Sequence, residues 1–155
     1  MRRLTAGILV PMCLLAAGCG AASLPTPTSS LPSGTRVGPQ VFLSDSASSV
    51  TAVRTFVEAL GANGASITAG QAKLAAPLLE SSSQQAQIGL HRLMAEEVDD
   101  VRLEQQRKAI TGPLGAVVVQ MSAIAGSAGT GDAAAVVRDL GALRTAIAAL
   151  KRAGA

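Results

Sequence analysis

Along residues 44–155 the apolar positions recur three and four apart, the period of a helix that buries one face. Val50, Val53, Phe56, Val57 and Leu60 form the first stripe, with Ser44–Ser46 as N-cap candidates ahead of it and Gly61 and Gly64 as stop signals. Thr68 and Gln71 have capping-box spacing and open a second segment carrying Leu74, Leu78 and Leu79. Pro77 lies inside that segment and predicts a kink or a restart there.

Leu90, Met94, Val98 and Val101 keep the helical period through the acidic run Glu96-Glu97-Val98-Asp99-Asp100. Carboxylates near a helix C-terminus oppose its dipole, which favours one continuous helix to Ile110. Arg107 and Lys108 then fall in its last turn, and Gly112 and Pro113 follow as stops. A hairpin turn at the acidic run is the alternative.

From Ala109 to Gly131 there is no charged residue, and Leu114, Val117, Val118, Met121 and Ile124 hold a helical face. Five glycines, Pro113, Gln120, Ser122 and Ser127 make this a weak membrane span. A helix apolar nearly all round is expected at the centre of a core. The last helix has Asp132 as its cap and Val136, Leu140, Leu143, Ile147 and Leu150 at heptad spacing, with Lys151 and Arg152 complementing the dipole at its end. The expected fold is all-α: a small up-and-down bundle of four to five helices over residues 44–155.

The stretch before it reads differently. Residues 20–43 carry Pro25, Pro27, Pro32 and Pro39 among Ser, Thr and Gly, with no period. Such a composition cannot bury enough apolar surface to offset ordering entropy, so a disordered tether is expected. It would reach about 70 Å as polyproline II and roughly 25–30 Å as a coil. Only Val41-Phe42-Leu43 has the apolar content to pack as a loop.

Met1-Arg2-Arg3 is a short positive stretch, and residues 4–17 are an apolar run of signal-peptide length, interrupted by Pro11. The run ends in Leu15-Ala16-Ala17-Gly18-Cys19. This resembles the lipobox of bacterial lipoprotein precursors, over residues 1–19 only, with Ala16 where leucine is commoner. The resemblance implies lipidation of the Cys19 thiol by a diacylglyceryl group and cleavage between Gly18 and Cys19. Residues 1–18 would then be a signal peptide, and residues 19–43 a lipidated cysteine with its tether. The protein would sit on the extracytoplasmic side of the cell membrane, anchored through its lipid. Cys13 competes poorly, because bulky Met12 precedes it. A lipidated Cys19 also leaves no pair of cysteines for an intramolecular disulfide.

Composition supports the helical reading. There are 30 alanines and two aromatic residues, Phe42 and Phe56, whereas sheets lean on aromatic and β-branched side chains. The net charge of +3 falls to about +1 once Arg2 and Arg3 are removed. That balance, without a basic face or stacking aromatics, excludes nucleic acid as a partner. Alanine-rich helix contacts bury little apolar area each, so modest stability or a homo-oligomer that completes the core is expected.

Candidate chemistry is sparse. His91 is the single histidine, and a metal site needs three or four ligands. His91 with Met94 or Met121 would be the axial pair of a haem site, but methionine on an apolar face is usually core filler. Glu96, Glu97, Asp99 and Asp100 form either a cation site or a solvated face whose bases answer as Asp99–Arg102, Glu104–Arg107 and Glu104–Lys108 pairs. Gly129-Thr130-Gly131-Asp132-Ala133-Ala134 fits a loose dinucleotide pattern, with no strand before it and no acid about 20 positions on. Ser81-Ser82-Ser83 offers hydroxyls without a placed base. No catalytic, metal or cofactor-binding residue is expected. The expected function is a non-catalytic, membrane-anchored module that binds or scaffolds another envelope protein. A carrier holding an apolar or haem-like ligand between its helices is the alternative.

Overall fold

A computed structural model describes residues 34–68 and 70–154. In chain order they form strand β1 (Thr35–Val37), helix α1 (Pro39–Ala62), the short helix α2 (Gly64–Thr68), a 3-10 turn at Ala72–Leu74, helix α3 (Ala76–Ala95), strand β2 (Glu96–Val98), helix α4 (Val101–Thr130) and helix α5 (Ala133–Arg152). The expected all-α bundle is what folds, with one small sheet added: β1 pairs in parallel with β2, Thr35 opposite Glu96 and Val37 opposite Val98.

Folding begins ahead of the expected boundary at residue 44. Gly38 is the N-cap of α1 and Pro39 occupies its first turn, where a fixed φ and a missing N–H cost nothing. Phe42, assigned to the tether by composition, is fully buried. Ser44–Ser46 therefore lie inside α1 rather than capping it, and downstream the Ser48 and Ser49 hydroxyls donate to the carbonyls of Ser44 and Asp45, at 2.9 and 2.8 Å. Pro77 does restart a helix, at the head of α3. The Thr68–Gln71 capping box does not form; the Thr68 hydroxyl donates back to the carbonyls of Gly64 and Ala65.

The continuous helix through the acidic run is also corrected. Glu96 is extended (φ −82°, ψ 149°), and α4 starts afresh behind Asp100. One Asp100 oxygen accepts from the amides of Arg102 and Leu103, at 2.9 and 3.0 Å. The dipole argument fails at the end of α3, where Glu96 is the C-cap, and is met only in the helix that follows, where Asp100 and Glu104 sit at the positive start of α4. From there α4 runs through Gly112 and Pro113, which do not stop it, because packing on both sides outweighs the one hydrogen bond that proline forfeits. It ends at Gly131, whose φ of 84° closes a Schellman-type turn with the Asp132 amide on the Ser127 carbonyl at 2.8 Å. Asp132 then caps α5 through the Ala135 amide, as expected.

The long helices run antiparallel in chain order. Asp45 and Ser49 of α1 meet Arg92 and Gly89 of α3; Ser83 of α3 meets Ser122 of α4; Gln106 near the start of α4 reaches the Gly154 carbonyl beyond α5. Each packs principally on the next, α1 on α3, α3 on α4 and α4 on α5. Their shared core holds Phe42, Phe56, Leu79, Leu93, Leu114, Met121, Ile124 and Leu143. Among the described residues, α4 alone is long and apolar enough to cross a membrane by length and composition. Here it is the central helix, with Ile110, Leu114, Val117, Val118, Met121 and Ile124 buried.

Candidate functional site

The break between α3 and α4 builds a polar node at one end of the bundle. Strand β2 alternates: Glu96 inward, Glu97 outward, Val98 inward. Glu96 is 1% exposed, and neither carboxyl oxygen has a hydrogen-bond partner. Charged groups approach it from three helices: Asp45 of α1, Arg92 of α3 and Arg107 of α4.

Both arginines are already engaged. Arg107 donates from Nε to Glu104 Oε2 at 2.8 Å and from Nη2 to Glu104 Oε1 at 2.7 Å, a bidentate fork. Its Nη1 donates to the Leu93 carbonyl at 2.7 Å, satisfying one of the orphan carbonyls at the end of α3. Glu104 also takes the Val98 amide at 3.1 Å and Lys108 Nζ at 3.2 Å, so this one carboxylate ties α4 to β2. Arg92 lies 3.5 Å from Asp45.

These environments drive the two glutamates apart. Burial first, then the neighbouring carboxyl of Asp45 and its charge, push the Glu96 carboxyl up to about 7, against the opposing charges of Arg107 and Arg92. Hydrogen bonding from Arg107 foremost, helped by the Val98 amide and Lys108, holds Glu104 down to about 2, against the opposing cost of its burial. The same pairing raises Arg107 above its ordinary value. A buried carboxyl that gains or loses a proton near neutrality is the chemical capacity of this node.

The other sequence candidates are scattered. His91 and Met94 are exposed while Met121 is fully buried, so the haem-ligand pair is not assembled. Glu97, Asp99 and Asp100 face solvent, as the solvated-face reading expects, whereas Glu96 does not. The Glu104–Arg107 and Glu104–Lys108 pairs form as their spacing predicts. No group of three metal-ligating side chains occurs among the described residues. The Gly129–Ala134 pattern spans the end of α4, the Gly131–Asp132 connection and the start of α5, its second glycine being the αL residue Gly131. In the serine run, Ser82 donates to the Leu78 carbonyl and Ser83 bonds Ser122 at 3.0 Å across α3 and α4. A groove of about 370 Å³ beside that bond is lined by Glu80, Gln84 and Gln87 as well as small residues. Gly18 and Cys19, with the rest of residues 1–33 expected to be signal peptide and tether, lie outside the described residues.

Glu96 was hidden in the acidic run, although a signal for it existed. Ala86, Gly89 and Leu93 form a buried line on α3, and Glu96 continues it three residues on. An acid on an apolar line marks a group that must be neutralised or paired. No protein-family model, curated protein or solved structure shows a significant match to this chain.

Proposed function

We propose that the chain is a lipoprotein anchored through Cys19 on the extracytoplasmic face of the membrane, whose helical unit is a non-catalytic module for an envelope protein partner. The observation that carries this reading is the Leu15-Ala16-Ala17-Gly18-Cys19 sequence ahead of the helical unit described from Gly34 onward. Several polar side chains of that unit serve its packing, in the Glu104–Arg107 fork, the Asp100 and Asp132 caps and the Ser83–Ser122 bond. Exposed apolar side chains favour a contact surface: Leu43, Val50 and Val57 recur every seven residues on α1 at 40–46% exposure.

The test is fatty-acid labelling of the full chain in a bacterial host, beside Cys19→Ala, followed by cross-linking from the membrane fraction. Label on the wild type alone, with one protein cross-linked through α1, is expected. Equal labelling of both forms, or release of the wild type into the medium, overturns the anchor. An absence of any cross-linked protein overturns the partner.

A further inference from the structure

We propose that Glu96 is a proton-operated latch: protonated, it stays buried beside Asp45 with β1 closed on β2, and ionised, it favours a form in which β1 lifts away and water reaches it. The geometry supplies each part. Glu96 is sealed from water and bonded to nothing, so its neutral form is tolerated and its charged form is not. A protonated Glu96 can donate to Asp45; an ionised one sets a second negative charge beside it.

Every charged group facing this point is accounted for. Asp45 comes from α1, Arg92 from α3 and Arg107 from α4. Arg92 is paired with Asp45, and the Arg107 fork is filled by Glu104 and the Leu93 carbonyl, with Lys108 on the same glutamate. Arg36 on β1 and Glu97 on β2 point to solvent beside the strands. Neither arginine reaches a Glu96 oxygen, so an ionised Glu96 stands unpaired until water enters.

The cheapest route for water is past β1. It is three residues long, it is the edge of a two-stranded sheet, and its pairing is bracketed by the Gly34 amide on the Ala95 carbonyl at 2.9 Å and the Asp99 amide on the Val37 carbonyl at 3.3 Å. The helices behind it are anchored by Phe42 and Leu93, both fully buried. Opening β1 moves the point at which the chain leaves the bundle, which is where residues 20–33 join it.

Amide hydrogen exchange on the full chain tests this. With the carboxyl near 7 when closed and at an ordinary value when open, linkage makes the open fraction rise about tenfold between pH 6 and pH 8.5. Protection at the Gly34 and Asp99 amides, corrected for intrinsic rate, should fall by that factor, while Val117 in the core of α4 keeps its protection. Glu96→Gln should abolish the change. Protection that stays within twofold across that range in the wild type, or falls equally in Glu96→Gln, overturns the latch. Should that variant fail to fold, Asp45→Asn gives the second reading: the fall should shrink as the like charge is removed, and an undiminished fall overturns it. None of these outcomes depends on whether Cys19 carries lipid.

Discussion

Gly89 of α3 lies directly against Ser49 of α1: a methyl group at position 89 would sit 3.2 Å from Ser49 Cβ and closer still to its hydroxyl. Ser49 is itself pinned, its hydroxyl donating to the Asp45 carbonyl at 2.8 Å. The pair sets how closely α1 and α3 approach, and the approach brings Asp45 to Arg92 one turn away. Gly89→Ala should therefore destabilise the bundle by about 1–3 kcal/mol even though alanine favours helices. Urea unfolding checks this, and Ser49→Ala in the same chain should restore part of the loss. A stabilised single variant would mean that the helices are free to move apart.

The Arg107 fork is the strongest polar tie between α3, β2 and α4. Arg107→Ala leaves Glu104 part-buried and the Leu93 carbonyl without its donor, which should cost about 3 kcal/mol. Arg107→Lys keeps the charge but offers no fork, so it should fall between the wild type and alanine in thermal melts.

Stability should peak in mildly acidic solution and decline on both sides. Glu104, held down to about 2, contributes stability that is present above its ordinary value near 4.5 and is lost as pH falls toward 2. Glu96, pushed up to about 7, binds more protons folded than unfolded between about 4.5 and 7; its contribution is therefore whole below 4.5 and is lost as pH rises through 7. Melting curves from pH 3 to pH 9 should show both flanks, and Glu96→Gln should flatten the alkaline one alone.

The folded unit should need residues ahead of Ser44. A chain starting at Ser44 lacks β1, the Gly38–Pro39 entry to α1 and Phe42, and should melt far below one starting at Gly34. Phe42→Ala alone should cost about 3–5 kcal/mol, since its side chain is wholly enclosed. Equal melting temperatures for the two starts would return Val41-Phe42-Leu43 to the tether.

Asp100 should carry the break between α3 and α4. Asp100→Ala removes the acceptor for two amides at the head of α4 and should cost about 1 kcal/mol. Circular dichroism with thermal melting gives the value; a neutral effect would mean that β2 alone terminates α3.

The fold was legible where a single local rule acted without competition. The α5 stripe, with Val136, Leu143 and Leu150 buried and Leu140 and Ile147 half-buried, and the Asp132 cap followed from spacing alone. Pro77 marked a restart because no strong contact overrode it. Where two rules competed, tertiary contact decided: Pro113 stays within α4 because both flanks pack, and Phe42 belongs to the core despite its proline-rich neighbours. The site was the least legible part. Glu96 and Glu97 are chemically the same residue, and only the strand alternation, created by pairing with a segment read as tether, sends one inward and one outward.

That pairing has a consequence for how the molecule is made. β1 leaves the ribosome before α1 and α3, yet its partner β2 is synthesised only after both. The earliest described element must wait, with Val37 uncovered, until the helical hairpin has turned back to meet it. Nascent chains stalled just short of Glu96 would carry α1 and α3 with a loose leading strand, so that strand is fastened only after two long helices have been made.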